Sequence, residues 1–297
     1  MSLAPIALFV YRRPEHTRRT IASLRNCPEF AASPVFVFSD GARDAAAEAA
    51  VAATRAVVAE MLPDAHVTIA VGNRGLAASV ISGVDALTDK FGRVIVVEDD
   101  LVLARDFLTF LNVGLDRCEN EPRVMQISGH MFGVNVGPDA VLLPFVSTWG
   151  WATWARAWRH FDPESSGAEK LDTDPALKTK FNLDGSYAYS KMLKRQQKGL
   201  VDSWGIRWYW SVFDKLGLVL YPPVSLVANE GFSDGTHGGK SADERLFTGT
   251  LSTDPALGRF PSEIIVSESA YLSVKAAFRA RHSFSSRLQK RIKGLFA

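Results

Sequence analysis

The chain has 297 residues, enough to bury a substantial core, with 34 Lys and Arg against 32 Asp and Glu and a net charge of +2. That near balance gives no general electrostatic drive toward nucleic acid, and none is expected as a partner. Two cysteines, Cys27 and Cys118, are too few and too far apart for a zinc site or a disulfide framework; they read as reduced, half-buried thiols of a cytoplasmic protein.

The opening segment APIALFVYRRP has a short apolar run met at once by arginines and a proline, which predicts a first strand and not a signal peptide. No stretch approaches the roughly 18 apolar residues needed to span a bilayer, so membrane association is expected only at the periphery. Short apolar runs then alternate with longer amphipathic ones. Strands are predicted at Ile6–Val10, Val35–Ser39, Val67–Val71, Val94–Val97 and Val124–Ile127, and helices at Glu15–Arg25, Ala42–Glu60, Leu76–Phe91 and Asp106–Glu119. This succession predicts an α/β fold over residues 1–130, a mostly parallel sheet flanked by helices.

Beyond residue 130 the alternation gives way to Gly, Pro, Trp and charged residues, and all seven tryptophans fall between 149 and 210. Helices are expected over Tyr187–Lys198 and from about Ile206 to Leu216, and a short strand over Leu218–Tyr221. Residues 131–268 thus read as an irregular, Trp-rich half of the same domain. Past Glu268 no acid follows, and Lys275, Arg279, Arg281, Arg287, Lys290, Arg291 and Lys293 interleave with Phe278, Phe284, Leu288, Ile292, Leu295 and Phe296. Residues 269–297 are a basic amphipathic tail, suited to anionic lipid or simply solvated.

The chemistry-bearing segments follow the predicted strands. VVEDDLV, Val96 to Val102, is a β-branched run delivering Glu98, Asp99 and Asp100 to a strand end. Ligands of open α/β sheets gather at such ends, and adjacent carboxylates are costly unless a cation or separate hydrogen bonds offset their charge. The loop Tyr11, Arg12, Arg13, Pro14 can meet a nucleotide with its ring and guanidinium groups, or be a plain helix entry with solvated arginines. Ser39-Asp40-Gly41 can offer a carboxylate to a base NH, or be an ordinary turn. In NRGLAAS, Asn73 to Ser79, Asn73, Arg74 and Gly75 turn the chain; small residues then admit a ligand to the helix start, or pack the helix onto the sheet.

In this order, YRRP, SDG, NRGLAAS and EDD resemble the nucleotide-sugar-dependent glycosyltransferases of the GT-A fold. NRGLAAS is similar to the Asn-x-Gly-Leu segment of inverting bacterial polysaccharide enzymes, and EDD to the metal motif of N-acetylglucosaminyltransferase I. The resemblance covers residues 4 to about 110 well and the second half loosely. It implies a GT-A type, Rossmann-like sheet with a Trp-rich acceptor half, and a Mn²⁺ or Mg²⁺ ion with a nucleoside diphosphate sugar as donor. Asp100 would be the direct metal ligand, Asp99 would meet the ribose or bridge through water, and Glu98 would orient nearby groups. Asp40 would face the base, with Asn73, Arg74 and the Leu76 helix under base and ribose, and Tyr11 and Arg12 opposite.

For the second half, STWGWATWARAW, Ser147 to Trp158, suggests a loop turning into a helix. Trp149 and Trp151 are the candidate sugar platform, Trp204 is a further candidate substrate contact, and Trp154 and Trp158 read as core. In DSWGIRWYW related sequences carry an acid directly after the tryptophan, where this chain has Gly205. Asp202, two residues before Trp204, is therefore the candidate general base, with Glu230 and Asp234 as substitutes; as a helix cap it would have a purely structural role. In NEGFSDGTHGGK, His237 is a candidate metal ligand or phosphate donor and Lys240 a phosphate partner. The resemblance implies an inverting, metal-dependent transferase, UDP favoured, acting on a glycan or lipid-linked glycan hydroxyl in bacterial surface polysaccharide assembly. A non-catalytic sugar-binding protein is the alternative. A sugar nucleotidyltransferase ranks lower because YRRP lacks the glycines of its phosphate loop.

Overall fold

In the computed structural model, which describes residues 3–231, 251–252 and 258–280, the apolar run Ile6–Val10 forms β1, with every residue buried. Helix α1, Pro14–Arg25, starts on the proline, with Glu15 in its first turn and Arg25 in its last, the polarity that complements the helix dipole. β2 is Val35–Ser39. α2, Ala45–Met61, begins three residues later than expected because the Asp44 side chain caps it by accepting from the Ala47 N–H. β3, His66–Ile69, ends earlier than predicted. α3, Leu76–Phe91, runs between Gly75 and a left-handed Gly92. β4, Arg93–Glu98, carries the central Val-Ile-Val-Val run with no solvent face.

β5, Leu101–Leu103, follows the acidic run directly. After α4, Phe107–Arg117, come β6, Val124–Ser128, and β7, Val141–Leu143. The segment Ser147–Trp158, expected to be a loop turning into a helix, instead holds a strand, β8, Trp151–Trp154, before the one-turn α5, Ala155–Trp158. All four residues of β8 are buried, so the strand lacks the polar alternation that marks a half-solvated one. Helices α6 Lys170–Thr173, α7 Pro175–Phe181, α8 Tyr189–Gln197 and α9 Trp204–Asp214 follow, then β9, Leu218–Tyr221, and β10, Val227–Asn229.

The main sheet has the order β3-β2-β1-β4-β8-β6-β9-β7. β3, β2, β1 and β4 are parallel, β8 runs against both β4 and β6, β9 is parallel to β6, and β7 is antiparallel to β9. The expected mostly parallel α/β sheet is thus present, and it continues without a break past residue 130. β1 sits between β2 and β4, so the chain winds outward to β3 and returns to the other side of β1 at β4. Ligand crevices of open α/β sheets form at such a reversal, outside the carboxyl ends of the strands. β5 pairs with β10 in a separate two-stranded ribbon.

The tryptophans cement the second half onto this sheet. Trp151 stacks on Trp204 with ring centroids 5.2 Å apart and contacts Trp158 and Trp208. Indole N–H groups find acceptors: Trp208 donates to Gln126 Oε1 at 2.7 Å, and Trp158 to Asp85 at 2.6 Å. The Trp151 Nε1 is buried with no hydrogen-bond partner. Trp208→Phe strands the Gln126 carbonyl, whereas Trp151→Phe removes an unpaired donor. Trp208→Phe is therefore expected to destabilise by about 1–2 kcal/mol more than Trp151→Phe in urea unfolding; equal losses, or the reverse order, would refute the assignment.

Residues 268–280 form a helix, α10, docked on the body: Lys275 is buried, donates to Asp184 Oδ2 at 2.5 Å and lies 4.0 Å from the Tyr271 ring centroid. Phe278 is buried against Phe132 and Tyr187. These two residues of the expected lipid-facing tail therefore face protein; residues 281–297 lie outside the described residues. Among the described residues no helix is long and apolar enough to cross a membrane.

Candidate functional site

The strand registers set a row of loops along one edge. Val10 pairs with Ser39, Phe9 with Glu98 and Ser39 with Ile69, so Tyr11, Asp40, Ala70 and Asp99 emerge side by side. Backbone bonds stitch the row: Asp40 N–H to Val10 O at 3.1 Å and Ala70 N–H to Ser39 O at 2.9 Å. At the reversal between β1 and β4, the Tyr11 N–H donates to Asp99 Oδ2 at 3.0 Å, and Thr20 Oγ1 donates to the Asp99 carbonyl at 2.9 Å.

The acidic run has the electrostatics its sequence foreshadows. Glu98, Asp99 and Asp100 are all partly buried. Burial, with repulsion from Asp100 and Asp99, pushes the Glu98 carboxyl up to about 8. Burial pushes Asp99 up to about 7 against the Tyr11 hydrogen bond. Asp100 is also raised by burial, opposed by Arg13, whose Nη1 lies 2.8 Å from Asp100 Oδ2. His16, at the start of α1, also favours the charged form of Asp100. The other oxygen, Asp100 Oδ1, is buried with no hydrogen-bond partner.

Glu98 gives this cluster a pH signature. Its proton is held more tightly in the folded than in the unfolded chain, so its contribution to stability is complete below its ordinary 4.5 and is lost as pH rises through about 8. Metal-free protein is expected to lose stability through this group between about pH 5 and pH 8, by at most about 1.4 kcal/mol per pH unit. Glu98→Gln should flatten that slope in calorimetric melts run with a chelator. An unchanged slope would mean that Glu98 is not buried as described.

Asp40 has a different role from the one expected. Its Oδ1 accepts from the Gly41 and Arg74 N–H groups, each at 2.8 Å, and its Oδ2 from the Gly75 N–H at 3.0 Å and the Asn73 side chain at 2.9 Å. Two bonds on each oxygen fill its lone pairs. Asp40 therefore shapes the Asn73–Gly75 turn and has no acceptor left for a base, and Asn73 is spent on the same turn. Arg55 from α2 braces the floor by bonding Ser39 Oγ and the carbonyls of Asp40 and Ala70. The Arg74 side chain is left exposed. Arg12 is exposed as well, with its guanidinium carbon 5.7 Å from the Tyr11 ring centroid, and the Tyr11 hydroxyl accepts from the Arg43 N–H at 3.1 Å.

Two of the three expected substrate tryptophans do not reach the site. Trp151 is 0% and Trp204 4% exposed, each sealed against the other. Trp149 is half-buried and near the acidic run, since Trp151 pairs with Val96 two residues before Glu98. Its ring meets His130 with centroids 4.5 Å apart. His130 follows β6 at the same edge, its Nδ1 2.9 Å from Ser147 Oγ. Sequence reading passed over His130; the available signal was its place three residues after a predicted strand.

Asp202 lies beside this edge: a Cβ placed on Gly75 would sit 3.8 Å from Asp202 Oδ2. Its carboxylate pairs with Arg207 Nη2 at 2.9 Å, yet the side chain is 64% exposed. The helix-capping role belongs to Ser203, which accepts from the Ile206 N–H. At Gly205 a Cβ would lie 3.1 Å from Thr148 Cγ2, a tight contact. Glu230 stands over the acidic run, with its N–H bonded to the Asp100 carbonyl and its carboxylate 2.5 Å from Arg19 Nε. His237, Lys240 and Asp234 lie outside the described residues.

Among the described residues no three His, Cys, Asp or Glu side chains form a closed metal cage. A hard divalent cation that keeps positions for substrate oxygens needs only one or two carboxylates, and the unbonded, buried Asp100 Oδ1 fits that demand.

Fold and edge together define an α/β protein with an acidic run at the reversal of its sheet. No protein-family model matches the chain, and no curated protein matches it. Solved structures similar to it include an active-site mutant of LgtC, at 10% identity over 92% of this chain and 95% of that one, with a TM-score of 0.39. Others are mannose-1-phosphate geranyltransferase from Thermus thermophilus, at 13% identity over 74% and 73% of the two chains with a TM-score of 0.36, and mouse xyloside xylosyltransferase 1, at 12% identity over 71% and 81% with a TM-score of 0.35.

Proposed function

We propose that this protein is a metal-dependent glycosyltransferase that moves a sugar from a nucleoside diphosphate, UDP favoured, to a hydroxyl of a glycan or lipid-linked glycan, with inversion. The observation that carries the reading is the acidic run at the sheet reversal, its Asp100 Oδ1 buried and unbonded. Asp100 would hold the divalent cation, Mn²⁺ or Mg²⁺. That ion, when bound, neutralises charge on the departing nucleoside diphosphate. The exposed guanidinium groups of Arg12 and Arg74 reach phosphate from either side, and the Tyr11 ring meets the base. Trp149 offers an apolar ring face to sugar C–H groups.

Asp202 takes the proton from the acceptor hydroxyl as its oxygen attacks the anomeric carbon. Its exposure lets it meet an acceptor, and the Arg207 pair orients it. Work at the cytoplasmic face of a membrane would draw on the basic residues past 280, outside the described region. The test is a thermal-shift panel of UDP, GDP, dTDP and CMP, each with and without Mn²⁺. Metal-dependent stabilisation by one nucleoside diphosphate is expected; no shift from any of them at millimolar concentration overturns the reading.

A further inference from the structure

We propose that Arg13 is an exchangeable counter-ion of this site: it neutralises Asp100 while no divalent cation is bound, and it turns to the donor's diphosphate once the cation is held. The inference rests on the reading of Asp100 as a metal ligand. Arg13 is the N-cap of α1, just ahead of Pro14, and its side chain reaches the acidic run at Asp100. Its Nη1 bonds Asp100 Oδ2 at 2.8 Å through a single contact, with 32% of the Arg13 side chain still exposed. The guanidinium touches one of the three crowded carboxylates, and its fork is only partly used.

The chain seals this pair on one side. Gly231 crosses so closely that a Cβ there would collide with Asp100 Oδ2 and come within 2.9 Å of Arg13 Nη1. The crossing is fixed by the Glu230 N–H on the Asp100 carbonyl and by Arg19 on the Glu230 carboxylate. A guanidinium nitrogen on Oδ2 and a divalent cation on Oδ1 of the same carboxylate repel each other, which loosens the hold of the weaker-bound group. The backbone around Asp100 is pinned, whereas Arg13 is a long side chain open to solvent on its other face. Arg13 therefore moves, and the negative group entering with the donor is its diphosphate.

This exchange predicts effects of opposite sign, which a merely structural role would not produce. By calorimetric titration, Arg13→Gln is expected to bind Mn²⁺ alone about tenfold more tightly than wild type, since a like charge near Asp100 is gone. The same variant should bind UDP at saturating Mn²⁺ about tenfold more weakly, since a phosphate partner is gone. Arg13→Lys, which keeps the charge, should stay within about threefold of wild type in both. Mn²⁺ affinity unchanged or weaker in Arg13→Gln overturns the exchange, provided that wild type binds Mn²⁺ and Asp100→Asn does not. If Asp100→Asn binds Mn²⁺ as wild type does, the assignment of Asp100 itself fails, and the exchange fails with it.

Discussion

Asp100→Asn is expected to abolish metal-dependent stabilisation by the nucleoside diphosphate and to lower transfer at least about 10³-fold. A ligand at 100 times its dissociation constant stabilises by about 2.7 kcal/mol, a melting shift on the order of 5 °C for a chain of this length. That shift should vanish, because the amide removes the charge while keeping the shape. The rate loss follows from the several kcal/mol by which a bound cation stabilises a leaving diphosphate. The unliganded melting temperature should move little, because the Arg13 pair is partly exposed, with side chains 32% and 16% accessible. A variant that keeps both the shift and the turnover would remove Asp100 from the site.

Asp202→Asn is expected to separate chemistry from binding: kcat should fall about 10²- to 10⁴-fold while donor affinity stays near wild type. The carboxylate stands beside Gly75 at the start of α3 and is oriented by Arg207, and the isosteric amide leaves the acidic run and the Asp40 hydrogen bonds in place. Its ion pair is 64% exposed on the Asp202 side and adds little to stability. Wild-type kcat in Asp202→Asn would shift the base role elsewhere; Glu230, already paired with Arg19, would have to give up that partner first.

The strands that build the first half of the sheet could be read from the chain because each is a short β-branched or aromatic run with a turn signal after it. Ile6–Val10 and Val35–Ser39 occur as expected, and β4 extends its prediction by one residue at each end. Helix starts were less legible. The Asp44 cap displaces the start of α2, and only the hydrogen bond to Ala47 identifies it. β8 escaped because burial on both faces erased its alternation, and because four tryptophans within ten residues look like a surface until their neighbours are known. Trp151 and Trp204 face each other across 53 residues of sequence, and nothing local to either announces the stack.

The candidate site divides the same way. By itself the sequence determined that three carboxylates follow a buried strand, that arginines follow the first strand and that a turn precedes the Leu76 helix, since each is a local property of residue type and order. Only the tertiary structure decided what those groups do. Asp40 is saturated by a turn 33 to 35 residues away and so cannot read a base. Arg13, and not Arg12, reaches Asp100, and Gly231 arrives from the far end of the chain to cover that pair. The physical reason is that hydrogen-bond saturation, charge pairing and burial belong to groups that meet in space, and strand register, not sequence proximity, determines which ones meet.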